Sequence, residues 1–315
     1  MSPGSKNRQS DKSRTGLSGK EPFLRSRAGI IRSIRRYFHQ QDYLEVETPN
    51  IIPSPAPEIH IDAISTTIGY LHTSPELCMK RMLSAGYPRI FQICRCYREG
   101  ERGDRHLPEF TLLEWYHVGI DYRGMMSECE EMIRFVAQDM NLGNRIEYLG
   151  KEIEMGGPWE RIPVTEAFRL YSPLSIEEAL ATDRFDEIMV LEIEPRLNRP
   201  TFLYDFPSAL ASLARLKKED PGLAERFELY IGGLELANAF SELTDTQEQR
   251  RRFISDSNKR KKLGKKGYSF PDKFIEDLAH MPGSAGIAFG IDRFVMLFTN
   301  SSRIDDVVAF TPEEL

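Results

Sequence analysis

The 315-residue chain has only four cysteines, Cys78, Cys94, Cys96 and Cys129, and their spacing matches no structural zinc pattern. Nothing in so sparse a set suggests disulfides, and a reducing cytoplasm suits it. No apolar run is long enough to cross a bilayer and no signal-peptide pattern opens the chain, so no membrane partner is expected. The phosphate-cradling GxxxxGK[ST] loop is missing, as is the β–α alternation of a doubly wound sheet, which disfavours an ordinary nucleotide-binding fold. Positive charge is also short. The net charge of -6 argues against a large nucleic-acid footprint, because neutralising phosphates needs a basic surface. A local basic patch is compatible with that balance.

What is present is ordinary for a folded chain: 40% hydrophobic and 29% charged residues. At roughly 300 residues a single fold buries about three quarters of its unfolded surface. Residues 1–20, rich in Ser, Gly, Lys and Arg and without aromatics, are expected to be a disordered tail, with one folded domain over 21–315. Leu24, Ala28, Ile31 and Phe38 recur near helical spacing and predict a helix from Leu24 to Gln40. Tyr43 to Ile51 reads as a strand ended by Pro49, and the three prolines of 52–57 as an extended loop. Pro75 suits the first position of a helix over Glu76–Ser84.

The stretch from Arg89 to Tyr116 organises the rest. It reads as two strands around a charged, glycine-containing loop. Ile90, Cys94, Cys96 and Arg98 share one face of the first by the period of two, and the thiols read as small buried hydrophobes. Phe110, Leu112, Glu114 and Tyr116 share one face of the second, placing a flat ring, a carboxylate and a phenol together. An apolar-in, polar-out strand would not mix them so. Further on, Gly124–Met140 is a helix whose Met, Cys and Phe stripe is core. The spacing also predicts a β-ribbon over Arg145–Ile162, a strand over Thr201–Phe206 and one over Arg226–Leu234 continued by Glu235–Glu242. A charged helix over Gln247–Leu263, a helix over Pro271–His280, a strand over Gly286–Ile291 with a helix after it, and a last short strand over Val307–Phe310 complete the reading. The six basic residues of Lys259–Lys266 read as a solvated loop. Strands in hairpins among helices point to an α+β domain with a mainly antiparallel sheet.

RIFQICRCYREGERGDRHLPEFTLLEWY resembles motif 2 of the class II aminoacyl-tRNA synthetases, in the form of the lysyl subgroup. GIAFGIDRFVML resembles motif 3, ELANAFSEL the ATP–metal segment of the lysyl enzymes, and TSPELCMKRML their substrate loop. The four occur in the family's order, and the similarity runs from about Leu24 to the C-terminus. The helix–strand–proline unit after Leu24 resembles motif 1, which implies a homodimer. Only a short polar tail stands where lysyl-tRNA synthetases carry an anticodon-binding barrel. LEWY, FLYDFPSALASLAR and Ala288 are more similar to the truncated paralogues of those enzymes. The resemblance therefore implies ATP-dependent activation of (R)-β-lysine and its transfer to a lysine side chain of elongation factor P, with tRNA binding not expected. Charging of tRNA, or a catalytically silent binding protein, are the alternatives.

Adenylate formation concentrates charge on phosphate oxygens and calls for fixed cations. By resemblance Arg98 holds the α-phosphate and the substrate carboxylate, and Arg293 the γ-phosphate; taken alone, Arg98 reads as a strand-end surface charge. Mg²⁺ needs hard oxygen ligands beside the phosphates. Glu235 and Glu242 are the candidates, yet their odd separation puts them on opposite faces of a straight strand, so a turn or bulge is expected near Asn238–Ala239. The same resemblance places Glu99, Gly100, His106, Leu107, Phe110, Leu236, Asn238 and Gly290 at ATP, with Phe110 stacked on adenine. Gly100 stands where motif 2 usually has the glutamate for adenine's amino group. Ser74, Pro75 and Glu76 fall at the substrate; Glu76 also reads simply as an acid favourable at a helix N-terminus. Glu114, Tyr116 and Glu242 are expected to hold a distal ammonium. Ala288, where lysyl-tRNA synthetases carry glycine, narrows the far end of the pocket.

Overall fold

The computed structural model describes residues 8–315, with side chains from residue 16 onward. The chain begins with α1 (Arg8–Gln40), which includes Pro22 and extends well before the expected Leu24. The tail expected over 1–20 lies partly outside the described residues, and residues 8–20 are the opening turns of α1. Lys20 is tied to Glu314 at 2.8 Å, so this part of the helix is fastened to the C-terminal segment.

Short strands β1 (Leu44–Glu45), β2 (Ile51–Ile52), β3 (Ser65–Thr66) and β4 (Gly69–Leu71) lead to α2 (Glu76–Ser84). The strand expected over Tyr43–Ile51 is therefore two brief pieces in different sheets, because Pro49 cannot donate to a ladder. Then come β5 (Arg89–Tyr97), β6 (Glu109–Val118), α3 (Tyr122–Asp139), β7 (Arg145–Tyr148), β8 (Lys151–Glu154), β9 (Glu160–Pro163), α4 (Val164–Tyr171), α5 (Ile176–Ala181) and α6 (Phe185–Ile188). The chain closes with β10 (Thr201–Pro207), β11 (Leu223–Ile231), β12 (Leu234–Ser241), α7 (Thr246–Lys262), α8 (Asp272–Leu278), β13 (Ser284–Gly290) and α9 (Ile291–Phe298).

The main sheet has eight strands in the order β1-β5-β6-β13-β12-β11-β10-β9. Only the outer pairs, β1 with β5 and β9 with β10, are parallel. This is the expected α+β architecture with a mainly antiparallel sheet. One face is covered by α1 and α3. Ile30, Ile34 and Phe38 of α1 and Met125, Cys129, Met132 and Val136 of α3 are fully buried against it. Phe38 stacks on Phe91 with ring centroids 4.6 Å apart. Each such side chain contributes about 1.5–3 kcal/mol when removed from water. Asp121 caps α3, accepting from the backbone N–H groups of Arg123 and Gly124 at 3.0 Å.

Further expectations change. The β-ribbon expected over Arg145–Ile162 is only the β7–β8 hairpin, and β9 joins the main sheet beside β10. Arg226–Glu242 is a hairpin rather than one long strand: Gly232 and Gly233 turn the chain with φ of +62° and +76°, which glycine adopts without steric cost. The expected final strand over Val307–Phe310 does not form: a 3₁₀ turn over Ile304–Val307 ends at its first residue, and 308–310 are irregular. The basic stretch is not simply solvated, since α7 runs through Lys262 and Arg260 is buried. The Arg260 guanidinium donates to the carbonyls of Glu58 and Ile61 and to Asp62. Among the described residues no helix is long and apolar enough to cross a membrane.

Candidate active site

The other face of the sheet is the floor of a cavity of about 500 Å³. Its rows follow from the register. Glu114 of β6 lies opposite Ala288 of β13, which lies opposite Asn238 of β12, which lies opposite Glu228 of β11. One row over, Tyr116, Gly286 and Phe240 are aligned. Cross-strand partners share a face, so the alternation in β6 places Phe110, Leu112, Glu114 and Tyr116 together on the cavity side.

Glu235 reaches that face through a β-bulge. Leu229 pairs with Ala237 but Tyr230 pairs with Glu235, leaving Leu236 as the extra residue. The bulge lies there and not at the expected Asn238–Ala239, which pair regularly with β11. One inserted residue restores the parity, and Glu235 and Glu242 line the same cavity.

At the outer end, the Arg98 guanidinium lies 4.8 Å over the Phe110 ring and 3.6 Å from Glu101. Its Nε is buried without a hydrogen-bond partner. Arg293, on the first turn of α9, donates from Nη1 to the Glu235 carbonyl at 2.9 Å and lies 3.3 Å from the Glu235 carboxylate. Arg293 Nη2 is 2.5 Å from His106 Nε2. Burial, then the Arg293 charge, lowers the His106 pKa and favours the neutral imidazole. Asp292 is held by Arg27 at 2.5 Å and accepts from the Thr111 backbone N–H at 2.7 Å. This contact locks α1, α9 and β6 together at the point where Arg293 and Phe110 emerge.

The inner end is acidic. Ser74 Oγ and Tyr116 OH both donate to Glu114, each at 2.6 Å. Burial, with Glu76 adding to it, pushes the Glu114 carboxyl up to about 8. Glu242 is likewise pushed up to about 8, by burial and against the pull of Lys80. Lys80 Nζ stands 2.5 Å from Glu76 and 2.5 Å from Glu242. Burial opposes its charge, but Glu242 and then Glu76 hold it above the usual range. Glu76 and Glu242 thus share one ammonium while Glu114 is buried close to Glu76, which favours retaining a proton among the carboxyls.

Of the sequence candidates, Ser74, Glu76, Arg98, His106, Leu107, Phe110, Glu114, Tyr116, Glu235, Leu236, Asn238, Glu242, Gly290 and Arg293 line this cavity. Pro75 caps α2 and does not face in. Glu99 is exposed outside it, and Gly100, at φ +79°, serves the turn. Glu101, on the other side of Gly100, is the glutamate that lines the cavity, 3.6 Å from Arg98. The sequence reading missed Lys80, Glu58 and Arg226. Lys80 sits in an apparently solvated MKR run, and its only signal is helical spacing of four from Glu76. Glu58, pushed up to about 7 by burial and by Glu76, comes from a loop without periodicity. Arg226 donates to Asn238 and Glu228 on neighbouring positions of the hairpin.

Comparison with known proteins identifies the family. The family described as tRNA synthetases class II (D, K and N) matches residues 14–314. An elongation factor P–(R)-beta-lysine ligase of Pseudoalteromonas translucida is 37% identical, covering 91% of this chain and 94% of its own length. One of Salmonella arizonae is 36% identical, with 93% and 96% covered. A lysine–tRNA ligase of Pelotomaculum thermopropionicum is 39% identical over 92% of this chain, which spans only 63% of that relative's length. The cavity that seats two arginines above a set of buried carboxyls therefore lies in a chain that belongs to the class II tRNA synthetases of the D, K and N group.

Proposed function

We propose that this protein activates (R)-β-lysine with ATP and transfers it to a lysine side chain of elongation factor P. The observation that carries the reading is the polarity of this cavity: Arg98 and Arg293 at one end, and Glu76, Glu114 and Glu242 at the other. A diammonium substrate with a carboxylate fits that gradient. Its ammonium groups would meet the acids and its carboxylate would point toward Arg98.

Arg98 then holds the substrate carboxylate against the α-phosphate, and Arg293 with neutral His106 holds the outer phosphates. The carboxylate oxygen bonds to the α-phosphorus as the bond to the pyrophosphate oxygen breaks. In the second half the acceptor amine attacks the activated carbonyl, an amide forms, AMP departs and the amine loses a proton. Fixed guanidinium groups favour both steps by meeting charge where it develops. Phe110, already under the Arg98 cation, offers a flat face for adenine.

The site's donors suit a hard divalent cation. Glu242 Oε1 is buried with no hydrogen-bond partner, and the Glu235 carboxylate is partly open beside Arg293. Glu235 and Glu242 would hold Mg²⁺, which when bound neutralises phosphate charge. A homodimer through the segment after α1 is part of this reading, and Leu44 and Ile51 remain 50% and 41% exposed there. A cytoplasmic setting suits the free thiols.

Lysine–tRNA ligase activity is the second reading, and the similar identity of those relatives is the reason to test it. The net charge of -6 disfavours a large tRNA footprint. The deciding experiment incubates the protein with ATP and each labelled lysine isomer, with elongation factor P or tRNA as acceptor. The proposal expects a mass increase on elongation factor P with β-lysine. Label on tRNA alone reverses the order of the readings, and no substrate-dependent pyrophosphate exchange rejects both.

A further inference from the structure

Three side chains that the adenylation chemistry leaves unused meet behind the substrate loop. His72 lies just before Ser74 and Glu76. Cys94 and Cys96 share one face of β5, opposite Leu112 and Phe110 of β6. One ligand atom from each of the three lies within 4.8 Å of the other two. Cys94 Sγ and Cys96 Sγ are 3.9 Å apart. Two thiolates on one tetrahedral zinc, with bonds of about 2.3 Å, stand about 3.8 Å apart. The observed spacing, a thiol–thiol hydrogen bond without an ion, suits such a chelate and is well beyond the ~2.05 Å of a disulfide.

His72 supplies an independent sign. It is 1% exposed, and its Nε2 is 2.7 Å from the Arg95 carbonyl oxygen. A carbonyl only accepts, so Nε2 carries the proton and Nδ1 presents a lone pair. That Nδ1 is buried and has no hydrogen-bond partner. Metal-binding imidazoles are commonly held this way, one nitrogen donating to a backbone carbonyl and the other free for the ion.

The donor set selects the ion. Two sulfurs and an imidazole suit a thiophilic cation, whereas Mg²⁺ prefers the carboxylates across the cavity. We propose that His72, Cys94 and Cys96 form a site for one thiophilic divalent cation, of which Zn²⁺ is the best match, distinct from the position at Glu235 and Glu242. On binding, two S–H bonds break, two sulfur–metal bonds and one nitrogen–metal bond form, and both protons pass to solvent. Two thiolates cancel the charge of the cation, so the loaded cluster is neutral, as its burial requires. Cys94 is the less buried thiol, leaving that side for entry and for a fourth ligand such as water. The ion would fasten the loop carrying Ser74 and Glu76 to the strand that leads into Arg98.

The test uses the full chain, stripped with a chelator and kept reduced, with Co²⁺ alone as probe. One equivalent should bind, giving near-ultraviolet thiolate-to-cobalt absorption and the visible bands of a four-coordinate ion, and Zn²⁺ should displace it. Cys94→Ser and Cys96→Ser should each weaken binding by more than the roughly 10–100-fold typical of outer-shell changes. Because Cys96 is fully buried, its replacement endangers folding, so thiol protection in the unaltered chain is read in parallel. Zn²⁺ should slow alkylation of Cys94 and Cys96 by at least about tenfold relative to Cys78, as peptide mass spectrometry would report. Absent thiolate absorption, binding that survives both substitutions, or equal alkylation of the cysteines overturns the proposal.

Discussion

Gly286 lies directly across the sheet from Tyr116, and its missing side chain is what leaves room for the Tyr116 ring and the Glu242 carboxylate. A Cβ there would clash with Tyr116 Cε1 and Glu242 Oε1. Neither neighbour can retreat easily, since both are buried. Gly286→Ala should therefore reduce substrate-dependent pyrophosphate exchange by about 100-fold or more, the scale of an ångström-sized misplacement. It should also destabilise the fold by about 1–3 kcal/mol through overpacking. Exchange kinetics and a denaturant melt measure the two effects, and wild-type kinetics in this variant would disprove the packing argument.

Removing either guanidinium should leave the fold and take the chemistry. Both Arg98 and Arg293 retain solvent access, with side chains 26% and 19% exposed. Arg98→Ala and Arg293→Ala should each lower the rate of adenylate formation by about 10²–10³. Their melting temperatures should stay near that of the unaltered chain. A rate within a few-fold of wild type for either would remove that arginine from the mechanism.

The inner carboxyls make binding depend on pH. Glu114 and Glu242 are held up to about 8 in the folded protein, against an ordinary 4.5. Between those values the folded state binds more protons than the unfolded one, so stability of the ligand-free protein falls as pH rises from about 5 to 8. An ammonium ligand favours the ionised acids, so its binding should release protons and tighten over the same window. Calorimetry in buffers of different ionisation enthalpy would show that release. A Tm that climbs steadily from pH 5 to 8 without ligand would contradict the assignment.

Arg27 acts at a distance from the cavity. It pairs with buried Asp292, beside Arg293, and donates to Thr111 next to Phe110. Arg27→Met leaves the Asp292 charge without its cation and should cost about 3–5 kcal/mol of stability. If Arg27 positions the ATP-facing groups, the KM for ATP should rise while the KM for the amine substrate stays put. Equal changes in both would indicate a purely structural role.

Ala288 is the cross-strand neighbour of Glu114 and lines the cavity floor. Ala288→Gly should widen that floor and raise the relative rate with α-lysine over β-lysine. A single methyl group is worth about 1–3 kcal/mol in such a pocket, or roughly 10–200-fold. An unchanged isomer ratio would count against Ala288 as the selector.

Much of this arrangement was legible in the letters, for reasons that differ by residue. Period-two alternation placed Phe110, Leu112, Glu114 and Tyr116 on one face because both strand geometry and the register of β6 with β13 enforce it. The helix over Glu76–Ser84 was legible because proline favours a helix start, although Pro75 stands at the N-cap and not at the first helical position. Lys80 escaped notice because a lysine in a charged run looks solvated; only the tertiary meeting of α2 with β12 buries it. Arg260 was misread for the same reason. The parity of Glu235 and Glu242 demanded an irregularity, but its position at Leu236 depends on pairing with β11, and that pairing followed from a glycine turn that was read as continuous strand.

The extra residue in β12 has a consequence for how this chain can change. The two halves of the strand run out of phase, and Leu236 is where the phase switches. Side chains along it can be exchanged one by one with local effects. Losing or gaining a single position between Glu235 and Glu242 would rotate one acid to the helical side of the sheet, so this segment should tolerate substitution far better than any change in its length.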